Sequence, residues 1–546
     1  GASPLKPGRR MEQPMRHRTR VAILLGILVA VACSGNQQTA SQQTATSSGT
    51  SGGRAGGTLI YAAESEPDIV NPALTEPNIP SGMIFRGLTR HDQNNHVQPD
   101  LARSWQISPD MLTYTFKLRD NVTWHDGTPF TAADVKFTID FILDKASNST
   151  NRQDFELVQG VDVVDTQTVT IKLSQPFAPL LDKLTIGIIP KHLLQDKDPA
   201  KAEFNQKPVG NGPYKFVEWR KGEFMTLEAY DRFYNGRPKI DKIVIKFVPD
   251  ASQRLLQLKS GEVDAAFLEP KQVEQFKNSE KVDLYIWPTA DYRVVMFNFK
   301  NSLFQDPRVR TALNYAIDRD ALVRSVLVGY GEPAYGPLQK SEYNNPDVTK
   351  FTYDPARVKS LMTEAGWTQG ADGIWQKDGR RFSVTLTAPA TDPVRVDIAN
   401  VVATSLRANG IDIKVDPRDW AYIRQNWGKL DLFVLGWGSP FDPDDHTFKI
   451  FHSSQVLDKG GYNLGSYVNA KVDRLLEQGR ITLDENQRKQ IYREFQKELN
   501  ADPPYIWGVY LQAIYGVSKK FQGPKQRLLG HHGSGFFWNV EEWSLK

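Results

Sequence analysis

One cysteine in 546 residues fixes much of what this chain can become. A single thiol closes no disulfide within the chain, and a thiolate metal site lacks its partners. Whatever folds must be held by its own core. Cys33 ends a run of twelve almost purely aliphatic residues, Val21–Ala32, preceded by Arg16, His17, Arg18 and Arg20. A membrane-spanning helix needs about 20 such residues. A basic lead-in with a core of twelve reads instead as a secretory signal segment over residues 1–32. The 24 residues Ser34–Gly57 are mostly Ser, Thr, Gln, Gly and Ala without periodicity. They bury too little to offset their ordering entropy, so 33–57 reads as a flexible tether.

Ala32 directly before Cys33 resembles the lipobox of bacterial lipoproteins, with Ala30 where that family usually has Leu. The resemblance implies lipid on Cys33 and an extracytoplasmic protein held on the cell membrane. Two or three acyl chains anchor stably where one does not. Six of the 67 Lys/Arg and one of the 63 Asp/Glu lie in residues 1–32, which leaves a net charge near −1 from Cys33 onward. No basic face for nucleic acid remains. The 489 residues from Thr58 are ample for two domains without a disulfide.

Those residues alternate helix and strand signals, an α/β pattern. Tyr114–Leu118, Val169–Leu173 and Ile243–Phe247 alternate apolar and polar positions and predict half-buried strands. Thr131 and Asp134 form a capping box ahead of the stripe Val135, Ile139, Ile142, Leu143. Arg254–Ser260 reads as a helix stopped by Gly261, and Val472–Leu476 and Gln487–Leu499 read as helices. His125-Asp126-Gly127 reads as a tight turn rather than a metal site. No low-complexity linker interrupts the chain after residue 57.

Several stretches, in order, resemble the bacterial extracellular solute-binding proteins of family 5, from peptide and nickel ABC importers. They are YTFKLRDNVTWHDGTPFTAADVKFTIDF (114–141), GNGPYKF (210–216), LLQLKSGEVDAAF, FQDPRVRTALNYAIDRDAL and VDRLLEQGRITLDENQRKQIYREFQKEL. The resemblance implies a two-lobed periplasmic-binding-protein-like fold, with lobe I at 58–290 completed by 511–546 and lobe II at 291–510. Two crossing segments would form a hinge, and the lobes would close on a peptide for delivery to an ABC permease. It implies a monomer without enzymatic activity or cofactor.

The strand Leu432–Leu435 runs into Gly436-Trp437-Gly438-Ser439-Pro440 and then Asp442. A glycine-flanked strand end lets another backbone approach. The resemblance implies that Gly436, Trp437, Gly438 and Ser439 meet an extended peptide from one lobe and Glu64 and Ser65 from the other, by strand addition. Trp420 would lie near the peptide's amino end, where a ring face holds an ammonium by about 0.5–2 kcal/mol. Relatives that bind free N-termini carry an Asp three residues after the Trp; here that position is Pro440, and Asp442 is the nearest carboxylate. An oligosaccharide or a nickel or other metal chelate is therefore the alternative cargo. Asp442, Asp444, Asp445, His446 and His452 could in principle form a hydrolase metal site, and His531-His532 could bind a metal. No H-E-x-x-H, no G-x-S-x-G elbow and no P-loop accompanies them.

Overall fold

A computed structural model describes residues 53–546. The signal segment, Cys33 and the tether up to residue 52 lie outside the described residues. The last residues of the expected tether do not hang free. Arg54 N–H donates to Leu545 O (2.9 Å) and Gly56 N–H to Lys239 O (2.8 Å), so the chain is pinned to the folded body from residue 54. Among the described residues no helix is long and apolar enough to cross a membrane.

The elements used below are strands β1 (Thr58–Ala63), β2 (Val282–Phe297), β3 (Ser383–Pro389), β4 (Leu432–Trp437) and β5 (Tyr505–Ser518). The helices are α1 (Ala132–Leu143), α2 (Ala251–Ser260), α3 (Pro393–Ala408), α4 (Trp420–Asn426), α5 (Ala470–Ile481) and α6 (Glu485–Ala501). The expected helix punctuation is present. Thr131 and Asp134 form the capping box of α1, and Gly261 ends α2 at φ 81°, a conformation that only glycine adopts without cost. Asn469 and Asp484 cap α5 and α6 through their side chains.

Eleven strands form one mixed sheet, and β2 and β5 are its spine. They pair antiparallel from Val282–Ser518 to Met296–Tyr505, with a register shift between Pro288 and Tyr292. On one side of this spine β2 leads to β4, then β3, then Asp412–Arg418; on the other β5 leads to Ala265–Phe267, then β1. The core divides in the same way. One apolar cluster joins residues from Leu59 to Trp287 with Ala513–Trp543, and a smaller one packs α2 beneath β1. Two others draw only on residues between Tyr292 and Tyr510. A separate four-stranded sheet contains the expected strands at Thr113–Leu118 and Thr168–Leu173.

The His125-Asp126-Gly127 turn is structural, as its composition suggests. Gly127 has φ 91° and Asp126 Oδ1 accepts the Thr128 N–H at 3.0 Å. His125 is buried, which pulls its pKa down to about 4 and keeps it neutral. Its Nδ1 accepts from Gly210 N–H (3.2 Å) and its Nε2–H donates to Gly212 O (2.9 Å). The imidazole thereby ties the 114–141 segment to the Gly-Asn-Gly-Pro turn. A Cβ on Gly210 would lie 2.0 Å from Ile84 O. Gly210→Ala is expected to cost about 1–3 kcal/mol of folding stability by overpacking. Thermal or urea melts check it; a variant as stable as wild type would contradict this packing.

Candidate functional site

The site grows from the place where the sheet's spine is irregular. Asp291 follows Thr289, whose hydroxyl accepts the Asp291 N–H at 2.9 Å. Its carboxylate is fully enclosed. Oδ1 accepts from Arg293 Nη1 and from His531 Nδ1 (2.7 Å), and Oδ2 accepts the His532 backbone N–H (3.0 Å). Burial alone would push this carboxyl up, but Arg293 and His531 overcome it and hold Asp291 ionised.

This arrangement sets the histidine tautomers. A carboxylate only accepts, so neutral His531 carries its proton on Nδ1 and presents the Nε2 lone pair. His446 is the reverse. Its Nδ1 accepts the Gly438 N–H at 3.0 Å, so its proton sits on Nε2. Burial draws His446 down to about 3, lowers His531 and takes His532 well below the ordinary value, so all three are neutral near pH 7. His446 and His532 stand at φ 53° and 54°, uncommon for residues with a Cβ. The His532 ring makes no hydrogen bond among the described residues and keeps a large accessible surface despite its strong desolvation. The His531 ring centre lies 4.1 Å from that of His532 and 6.5 Å from that of His446, with Trp437 at 6.2 Å from His531 and 5.7 Å from His446.

Around this core the charges come from both sides of the spine. Arg395 of α3 is buried, 3.1 Å from Asp392, and desolvation lowers it to about 10. Glu269 stands 3.7 Å from Arg254 of α2, and its buried carboxyl rises to about 7. Glu64, one residue past β1, rises to about 8, again through burial.

The residues expected to hold a ligand fall into two groups. Trp437 packs against His446 and His531, and Glu64 is close enough to feel the charge of Arg293. Beyond Phe433, β4 has no partner on its β3 edge, because β3 pairs only with Leu432 and Phe433. The glycines serve the chain itself, however. A Cβ on Gly436 would meet Arg293 Nη1 at 2.5 Å, and one on Gly438 would meet Ala290 O at 1.8 Å. The Gly438 N–H, expected for a peptide carbonyl, is spent on His446. Trp420 opens α4 with the Arg395 guanidinium 5.8 Å from its ring, so a cation already occupies the aromatic. Ser439 Oγ accepts the Phe441 N–H at 3.2 Å, and Ser65 is exposed.

Asp442 is engaged within the chain. Both its oxygens accept from Arg488, at 2.6 and 2.7 Å, and a ligand ammonium would have to displace a bidentate guanidinium. The acidic run likewise disperses into ion pairs, Asp444 with Arg480 (2.8 Å) and Asp445 with Lys183 (3.5 Å) and Lys449 (3.3 Å), while His452 Nε2 hydrogen-bonds Glu477 (2.9 Å). No group of three His, Cys, Asp or Glu placed to hold a metal ion exists among the described residues. Asp291, Arg293 and Arg395 were not foreseen; the only signal was an Asp-x-Arg inside a strand. Arg488→Met is expected to destabilise by about 3–5 kcal/mol by stranding Asp442. The double variant with Asp442→Leu should recover most of that loss in chemical denaturation, because no unpaired charge remains.

Comparison with known proteins agrees with this architecture. The family model "Bacterial extracellular solute-binding proteins, family 5 Middle" matches residues 96–458. The oligopeptide-binding protein AppA of Bacillus subtilis (strain 168) is 32% identical over 97% of this chain and all of its own. Its crystal structure with a nonapeptide superposes with TM-score 0.81 over 90% of this chain and 100% of that one, at 31% identity. NikZ from Campylobacter jejuni, in complex with Ni(L-His), superposes with TM-score 0.86 at 40% identity, covering 89% of this chain and 99% of that one. These structures are two-lobed α/β binding proteins. The chain belongs to the bacterial extracellular solute-binding proteins, family 5.

Proposed function

We propose that this chain is the capture component of an ABC importer and that its cleft takes a transition-metal chelate of an amino acid or short peptide. One observation carries the reading: Asp291 fixes His531 with its Nε2 lone pair free, beside the unpartnered imidazole of His532. A carboxylate behind a histidine is the arrangement that orients an imidazole for a metal and raises its basicity. Two imidazoles are too few for a bare ion, so the metal would arrive with its own organic ligands. The nickel–histidine complex held by NikZ is cargo of this kind. The reading makes the metal a passenger and the protein a carrier without catalysis.

The unpaired edge of β4 beyond Phe433 favours a second reading, an uncomplexed peptide bound by strand addition. The nonapeptide complex of AppA is the matching precedent. Under either reading the lobes are 58–290 with 511–546, and 291–510. The hinge is the β2–β5 crossing with its irregularity at Pro288–Tyr292. The division of the apolar clusters supports this. Cys33 carries lipid at the outer face of the cell membrane, and the monomer hands its cargo to the permease.

Calorimetry with NiCl₂ plus L-histidine, L-histidine alone and a nonapeptide separates the readings. The nickel–histidine complex should bind. His531→Ala should weaken it at least about 100-fold, since even outer-shell changes at metal sites cost 10–100-fold. Small-angle scattering should record a smaller radius of gyration on binding. Nonapeptide binding unaffected by His531→Ala, with no response to the nickel complex, would replace the first reading by the second.

A further inference from the structure

Three cations line the seam where residues 76–183 meet residues 441–480, and all three are bonded in the same way. Lys183 stands 3.1 Å from Asp154 of its own segment, and 3.5 and 3.9 Å from Asp445 and Asp444 across the seam. Lys449 stands 3.3 Å from Asp445 of its own segment and 3.4 Å from Glu76 across it. Arg480, in the last turn of α5, donates to Asp444 on its own side at 2.8 Å and to Glu156 on the other at 2.9 Å. Each cation thus has one carboxylate that moves with it and at least one that does not. The side chains of Lys183 and Asp444 are 6% and 1% exposed, whereas Glu76 and Glu156, whose carboxylates have no partner on their own side among the described residues, are half exposed. Two further contacts cross the same seam. The Ala178 N–H donates to Arg480 O at 2.7 Å, and the His91 ring stacks on Phe441 while Asp182 holds its imidazole at 2.6 Å from its own side. Asp444 and Asp445 directly precede His446, which accepts the Gly438 N–H beside Trp437. The loop 438–446 therefore touches both the histidine cluster and Lys183.

We propose that this seam is a charge latch centred on Lys183, which holds the two lobes together over bound cargo and parts without leaving a buried charge alone. The inference deepens the carrier reading above and rests on its lobe division, which puts residues 76–183 in one lobe and 441–480 in the other. An ordinary buried ion pair resists separation because the partner left behind is an uncompensated charge. Here the own-side partners stay. When the lobes part, Lys183 keeps Asp154, Arg480 keeps Asp444 and Lys449 keeps Asp445. Glu76 and Glu156 pass into the water that they already half face. When the lobes meet again, second carboxylates are added to cations that are already paired, so no unpaired ion is enclosed on the way. Each added pair contributes a modest attraction, and the bias toward the closed form comes from the cargo, which can shift the equilibrium only by binding that form better. Cargo that fixes His446 and Trp437 also fixes the adjoining Asp444 and Asp445 where Lys183 meets them. Occupancy of the cleft and closure of the seam therefore reinforce each other through one loop.

The test uses the full chain with preformed nickel–histidine complex and a nonapeptide as probes, comparing wild type with Lys183→Met and with the double variant Glu76→Gln/Glu156→Gln. Methionine keeps the apolar stem and removes the charge, and it leaves Asp444 with Arg480 and Asp445 with Lys449. The double variant changes only carboxylates without a partner on their own side, so it carries the test if Lys183→Met does not fold. Stopped-flow measurements should show the bound probe leaving Lys183→Met roughly tenfold faster and the double variant roughly two- to fivefold faster, with association changed by less, because removing one partner of a buried charge pair acts chiefly on dissociation. Small-angle scattering at saturating probe should give Lys183→Met a larger radius of gyration than wild type. A lysine that only supported its own lobe would lower the melting temperature without changing the dissociation rate or the compaction. Dissociation and compaction equal to wild type in every variant that folds overturn the latch and leave the carrier reading standing. The expected effects with the nonapeptide alone, and no binding of the nickel complex, sustain the latch and overturn the metal-chelate reading. If neither probe binds, both fall.

Discussion

Asp291 is the interaction on which the rest of this arrangement depends. It sits where the β2–β5 spine loses register, between Pro288 and Tyr292. Its carboxylate gathers Arg293 from its own strand and the two histidines from the C-terminal segment. Arg293 in turn fills the space above Gly436, so one buried anion ties the spine, the end of β4 and residues 531–532 together. An isolated charge here would be intolerable, since desolvation of a carboxylate costs several kcal/mol. Surrounded by one guanidinium, one imidazole N–H and one amide N–H, it becomes a fixed negative point. That point decides which nitrogen of His531 is bare.

The same logic operates further along the rim. Lys183 is nearly enclosed and stands 3.1 Å from Asp154, 3.5 Å from Asp445 and 3.9 Å from Asp444. Arg480 reaches Asp444 at 2.8 Å and Glu156 at 2.9 Å, and the His91 ring stacks on Phe441 at 3.9 Å between centres. These contacts join residues below 290 to residues between 441 and 480. Under the lobe division proposed above the contacts between lobes are made by paired charges and one stacked ring pair. Such pairs are costly to break one partner at a time yet contribute little net.

Much of the fold was legible in the sequence because its signals are local. A capping box at Thr131 and Asp134, a terminating Gly261 and alternation at Tyr114–Leu118 each report a backbone hydrogen-bonding need within a few residues. The family's motifs added the two-lobed architecture. The site was legible only in outline. Gly436 and Gly438 were read as letting another backbone approach the strand end; the sequence did not show that on their Cβ sides Arg293 and Ala290 O lie too close for any larger residue. Asp442 was the nearest carboxylate in sequence to the missing anchor, but α6 brings Arg488 against it. No local pattern announces a guanidinium that arrives from 46 residues away. The pair His531-His532 was visible, but not that one ring would be oriented by Asp291 and the other left free.

The tether illustrates the same boundary from the other end. Composition placed its limit at Gly57, the last residue before an apolar strand. The backbone pairs Arg54 with Leu545 and Gly56 with Lys239 regardless of side chain, because an amide is a strong donor in any residue. A glycine-rich stretch can therefore be ordered by what lies beside it without leaving a compositional trace. Glu64 obeys the converse rule. Its identity is plain in the sequence, yet its carboxyl is pushed up to about 8 by burial, which segments far apart in the chain create together. Only the folded chain brings Glu64 within reach of the charges of Arg254, Glu269, Arg293 and Asp392.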